Sequence, residues 1–333
     1  SITLQRKSVC SLILSLCAIA EREKHTVMLG RTHGQAAVPI TFGLKVAVWV
    51  DEFRRHLDRL DEITPRCITG KFLGAVGTGA AQGKRALELQ ELVLKELGLE
   101  VPVATTQVVG RDRYIEWVGW MANVATSIEK VLQEVRNLQR TEISEVAEEF
   151  DPKKQVGSST MAQKKNPITA ENACGLARIV RSMIVPSYEN ALLWHERDLA
   201  NSSSERFTLS HSMILLDDII AKCERVVTGM SVDSERMMEN IDSQGGLIMA
   251  EKIMLELVDR GMPREQAHEE LRKSSIQAIE EGLGLDVACS RNAAITVLIN
   301  EEDLQAMFDP RSHLGSSEEI VNSAVSIARE RCA

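Results

Sequence analysis

From Tyr114 to Val135 apolar residues recur at alternating steps of four and three: Tyr114, Val118, Met121, Ala125, Ile128, Leu132 and Val135. Glu129, Lys130, Glu134 and Arg136 fall off this seam. Such steps keep one stripe of a helix apolar. No proline stands between Pro102 and Pro152, which leaves room for a helix of about ten turns. A stripe that long needs partner helices, so the pattern predicts a bundle or an oligomer core.

Similar periodicity predicts further long helices. Residues 39–64 begin at Pro39 and carry Leu44, Val48, Phe53, Leu57 and Leu60. Residues 167–194 begin at Pro167, where the missing N–H would have no helical partner anyway. Residues 203–230 carry Phe207, Ile214, Leu215, Ile219, Cys223, Val226 and Val227. The first residues also read as an amphipathic helix. Ser8, Ser11 and Ser15 interrupt its apolar run and an EREK turn follows it, so it is not a signal peptide, and no apolar run reaches transmembrane length. The chain opens without methionine and already in helical periodicity, which predicts that a segment precedes it.

No alternating strand segment longer than a few residues stands out, so the expected class is all-α. Residues 70–83, GKFLGAVGTGAAQG, match neither a P-loop nor a dinucleotide fingerprint and read as a flexible or close-packed turn between helices. Beyond about residue 240 the helices shorten, with breaks at 243–246, 260–263 and 281–284. The expected division is a helical-bundle domain, 1–240, followed by a small helical C-terminal domain, 241–333.

Composition narrows the function. Apolar residues make up 44% and aromatic residues 4%, which suits an aliphatic, helix-packed core. The net charge of −9 argues against a nucleic-acid partner and against an anionic membrane surface, but not against a small anionic ligand in a local basic pocket. Seven cysteines without a C-x-x-C read as free thiols in a reducing, cytoplasmic setting. Seven histidines form no H-x-x-x-H pair, so no metal site is expected.

Three segments concentrate reactive groups. In RTHGQ, residues 31–35, Gly30 and Gly34 place His33 at a helix-to-loop junction, beside the polar donors Thr32 and Gln35. In GSSTMAQKKNP, residues 157–167, Ser158, Ser159 and Thr160 offer hydroxyls, Lys164 a positive charge and Asn166 an amide. Pro167 restricts Asn166 to extended geometry and starts a helix, whose N-terminus favours anions. The run is either a solvated surface loop or a loop that closes over an anionic substrate. In LLWHERDLANSSSER, residues 192–206, Arg197, Ser202 and Arg206 would make a phosphate cradle if Ser202 lies at a helix start. The alternative is an N-cap serine among surface arginines.

RTHGQAAVP, GSSTMAQKKNP and WHERDLANSSSER, in this order and separated by long helices, resemble the fumarase/aspartase superfamily. TTQVVGRDR (105–113), the WHERD segment and EKIMLELVDRGMPREQAHE (251–269) resemble its branch acting on succinylated purine nucleotides. The resemblance implies β-elimination of fumarate without metal or organic cofactor. It implies Ser159 as general base and His33 as general acid or its direct support. Thr32, Gln107, Lys164 and Asn166 would bind the succinyl part, Arg197, Ser202 and Arg206 the nucleotide phosphate, and Ser158 would also contact the substrate. It further implies a homotetramer whose long helices form one bundle and whose sites are shared between subunits.

The sequence departs from the family pattern in three places. Ala162 stands where proline is usual, which should loosen the loop. Gln163 stands where histidine is frequent, giving a local likeness to argininosuccinate lyase. The family's N-terminal domain, with a second active-site histidine and a Thr-Ser-x-Asp segment, is not among the 333 residues. The alternatives are another superfamily lyase, a cycloisomerase, or an inert helical assembly.

Overall fold

The computed structural model describes residues 1–149, 161 and 164–333. Its elements run α1 (Ile2–Arg22), β1 (Val27–Thr32), β2 (Gln35–Thr41), α2 (Phe42–Cys67), α3 (Ala86–Glu96), α4 (Asp112–Leu138) and β3 (Val146–Ala147). They continue with α5 (Ile168–Ser182), α6 (Ile184–Glu189), α7 (Ala200–Thr208), α8 (Ser210–Gly229), β4 (Ser231–Val232) and α9 (Ser234–Asp242). The last stretch holds α10 (Ala250–Asp259), α11 (Arg264–Glu281), α12 (Leu285–Arg291), α13 (Ala293–Thr296), α14 (Glu301–Met307) and α15 (Ser317–Cys332).

The expected helical bundle is present. In α4 the seam residues Val118, Met121, Ala125, Ile128, Leu132 and Val135 are all fully buried. Each of the larger ones contributes roughly 1.5–3 kcal/mol by leaving water. The helix has 27 residues, about seven and a half turns rather than ten. It packs against α2, α5 and α8.

Helix α1 corrects one expectation. By length and composition it could cross a bilayer. Here it lies against α2, α8 and α15, with Val9, Leu12, Ile13, Leu16 and Cys17 fully buried. The serines that interrupt its apolar run face α8: Ser8 donates to Asp217 (2.9 Å), and Ser11 and Ser15 donate to Glu224 (2.7 and 3.0 Å). Those hydrogen bonds are made side chain to side chain, as a helix packed on protein allows and one facing lipid does not.

A second correction concerns strands. Residues 27–41 form an antiparallel hairpin, pairing Val27 with Thr41, Leu29 with Pro39 and Thr32 with Gln35, with an irregularity between Leu29 and Arg31. Pro39 therefore lies in a strand, and α2 starts three residues later, where Thr41 Oγ1 accepts the Leu44 N–H (3.0 Å). The signal was weak because Val27–Gly30 are buried at every position and do not alternate. The helices expected over 167–194 and 203–230 are each broken, near Met183 and Leu209.

Of the flexible and close-packed readings, the glycine-rich turn adopts the close-packed one. Gly77 has φ +84° and a side chain there would meet the Thr105 carbonyl oxygen at 2.0 Å, so this turn sits directly on the 105–106 backbone. Within the C-terminal stretch, Ile253, Leu257, Leu271, Leu285, Ile295, Ile299 and Leu304 make an apolar cluster of their own. Helix α15 stands outside that cluster. It returns to α1 and α2, burying Val321, Val325 and Ala328 in the bundle core. Arg331 then pairs with Asp58 (2.7 Å) and Asp61, and Arg329 with Glu21 (2.6 Å).

Candidate active site

The turn from α6 to α7 is folded by one carboxylate. Asp198 accepts the Trp194 N–H (2.6 Å) and the Ala200 N–H (2.8 Å), so it closes the turn and caps the start of α7. These two backbone hydrogen bonds hold its carboxyl below the usual carboxylate range. Ser202 then falls in the first turn of α7 and Arg206 one turn later, on the same face. Arg197 precedes the helix. All three line one pocket of about 370 Å³. Arg197, Ser202 and Arg206 therefore face one common space.

Residues 107–111 adjoin this pocket, with Val108 and Arg111 in its lining. Gln107 donates its backbone N–H to the Glu196 carbonyl (3.2 Å), and its side-chain oxygen accepts from Arg197 (3.2 Å). Arg111 and Glu205 also line the pocket and form an ion pair at 3.0 Å. The Arg111 guanidinium lies 5.3 Å from the Tyr114 ring centroid. Three guanidinium groups thus face one carboxylate, an electrostatic balance that suits a dianion. Arg111, Asn201 and Glu205 were not singled out from sequence. The RDR run beside TTQ, and the glutamate within SSSER, were the available signals.

Thr32 and His33 stand elsewhere. They sit at the tip of the β1–β2 hairpin, not at a helix-to-loop junction. The two turn residues, His33 and Gly34, both have positive φ (54° and 74°), the signature of a tight type I′ turn. Both Thr32 and His33 are exposed. The strand behind them is anchored by Arg31, which donates to both oxygens of the fully buried Glu145 (2.8 and 2.6 Å). Asn240 donates to the same carboxylate (2.8 Å). The hairpin borders a separate pocket of about 620 Å³ that shares no lining residue with the first.

Ser158 and Ser159 lie outside the described residues, as do Thr160, Ala162 and Gln163. Lys164 and Asn166 stand at the start of α5, Lys164 exposed and Asn166 half-buried. The α5 N-terminus is not open to a ligand as expected. Glu148 is 7% exposed, and its two oxygens accept the Thr169 and Ala170 N–H groups, each at 3.0 Å. The protein's own carboxylate occupies the place where an external anion would sit. Among the described residues no group of three His, Cys, Asp or Glu could hold a metal ion.

The structure thus brings Gln107, Arg197, Ser202 and Arg206 together. Thr32 with His33, and Lys164 with Asn166, occupy two other places on the chain.

Comparison with known proteins adds the family. A lyase family model matches residues 4–182, and a model of the adenylosuccinate lyase C-terminus matches residues 246–324. The chain is 44% identical over 321 residues to the adenylosuccinate lyase of Methanothermobacter thermautotrophicus, covering 96% of this chain and 72% of that one. It is 42% identical over 330 residues to the adenylosuccinate lyase of Pyrococcus abyssi, covering 99% and 73%. Among solved structures it is similar to a fumarate lyase from Mesorhizobium sp. BNC1, with TM-score 0.87, 31% identity, and coverage of 98% and 73%. It is also similar to the 3-carboxy-cis,cis-muconate lactonizing enzyme from Pseudomonas putida, with TM-score 0.90, 29% identity, and coverage of 100% and 73%.

Proposed function

The chain belongs to the adenylosuccinate lyase family, and from that premise we propose that it cleaves adenylosuccinate into AMP and fumarate. The observation that carries this reading is the single pocket lined by Arg197, Ser202 and Arg206. A superfamily substrate without a phosphate gives these three no shared partner. The sequence comparison favours the same branch.

The family resemblance supplies the remaining roles, and the chemistry is consistent with them. Ser159 takes the proton from the succinyl carbon next to a carboxylate. The electron pair left on that carbon forms the new double bond of fumarate. The C–N bond breaks onto the nitrogen, which His33 protonates to give the amino group of AMP. A serine hydroxyl is a weak base, so it needs nearby positive charge when the substrate is bound. Lys164, Asn166, Ser158, Thr32 and Gln107 hold the succinyl carboxylates, where charge develops in the transition state. The same site accepts the succinyl-carboxamide ribonucleotide of purine synthesis, which presents the same succinyl and phosphate groups.

The working unit in this reading is a homotetramer with shared sites. Its support is the apolar surface around the pocket: Trp194, Leu199, Phe207 and Ile214 are 77%, 66%, 59% and 67% exposed in the single chain. The expected setting is cytoplasmic, in keeping with free thiols at all seven cysteines.

The test is turnover of adenylosuccinate by the full polypeptide as encoded, followed by ultraviolet absorbance. Ser159→Ala should abolish it. Arg206→Ala should lower kcat/KM about 100-fold through the lost charged hydrogen bonds. Wild-type protein without turnover would overturn the reading.

A further inference from the structure

We infer that Gln139 and Glu148 are positioning residues that hold Lys164 and Asn166 where they can grip the fumarate half of the substrate. The inference rests on the role proposed above for Lys164 and Asn166. Gln139 ends α4 and uses both halves of its side-chain amide. Its oxygen accepts the Glu148 N–H (2.9 Å), and its NH₂ donates to the Lys165 carbonyl (3.1 Å). Glu148 then reaches α5, accepting from Thr169 and Ala170. The circuit 139–148–169/170 and 139–165 thus joins the end of α4, the 148 segment and the start of α5.

The geometry bears on the binding residues directly. The Lys165 carbonyl belongs to the planar peptide from which Asn166 projects, and Lys164 is the residue before it. Fixing that carbonyl to α4 fixes the plane. Pro167 confines the Asn166 backbone to extended geometry on the other side. Gln139 must donate and accept at once, and among uncharged side chains of that length only an amide does both. Glu148 is buried and points inward, so it touches no substrate. Its effect must pass through the backbone it holds.

Two variants test this in the full polypeptide. Gln139→Met keeps the volume and loses both hydrogen bonds. Glu148→Gln keeps one acceptor and turns an NH₂ group toward a backbone N–H. The readouts are the inhibition constants of the two products, fumarate and AMP, with a thermal melt on each variant. Each variant should weaken fumarate inhibition about tenfold and leave AMP inhibition within about twofold, because AMP is held by the separate arginine pocket. A lower melting temperature with both constants unchanged would overturn the inference, as would equal weakening of both. Failure of both variants to fold would also overturn it, making the circuit a matter of stability. Wild-type turnover separates the two levels. Its absence removes the functional reading and this inference together, whereas turnover with unaltered fumarate binding removes the inference alone.

Discussion

His56 shows how far a single buried side chain can be read. It is 1% exposed, between α2 and α4. Its Nε2 lies 2.8 Å from Ser127 Oγ, whose own proton goes to Glu52 (2.6 Å), and Arg59 faces Nδ1 at 3.3 Å. This arrangement needs a neutral ring with its proton on Nε2. Burial first, then the Arg59 charge, pushes the His56 pKa down to about 4. An unfolded chain binds that proton near pH 6.5 and the native state does not. Stability is therefore fully present above pH 6.5 and falls as the pH drops toward 4. Relative to His56→Gln, wild-type protein should lose about 3 kcal/mol of unfolding free energy across that window, measured by urea denaturation. Parallel pH profiles would show that His56 is not held neutral. Nothing in the apolar pattern marked this histidine. That Arg197, Ser202 and Arg206 share one pocket was legible because they stand close together in sequence. Gln139 and Glu148 were not, because their partners are backbone N–H and carbonyl groups up to 26 residues away.

Among elements, legibility followed burial geometry. The α4 seam is buried continuously from Val118 to Val135, so a period near 3.5 shows in the sequence. The β1–β2 hairpin hid for the opposite reason: Val27, Met28 and Leu29 are all buried, and a short unbroken apolar run has no period to read. Its turn residues also misled, since histidine before glycine is not a usual I′ pair. If the α4 seam is the bundle's core, Leu132→Ala should cost about 2–5 kcal/mol by opening a cavity at a fully buried site. Tyr114→Ala, at the half-exposed end of the same seam, should cost less. A denaturation series that ranked them the other way would show that the seam's burial does not govern its energetics.

For the whole molecule, the distribution of candidate residues is itself an argument. One chain places Arg197, Ser202 and Arg206 in one pocket, with Gln107 hydrogen-bonded to Arg197, while the hairpin carrying His33 borders another. If His33 donates the proton and the arginine pocket holds the phosphate of one substrate, as proposed above, the two must meet, and symmetric association of identical chains lets segments far apart on one subunit face each other. This gives a prediction that a single-chain site cannot meet. His33→Gln and Ser159→Ala are each expected to be inactive. Mixed, dissociated and reassembled, they should recover about a quarter of wild-type activity if each site draws His33 and Ser159 from different subunits, since random pairing leaves that share of sites intact. If both residues came from one chain, no mixed assembly would contain an intact site, and the mixture would stay inactive at any ratio.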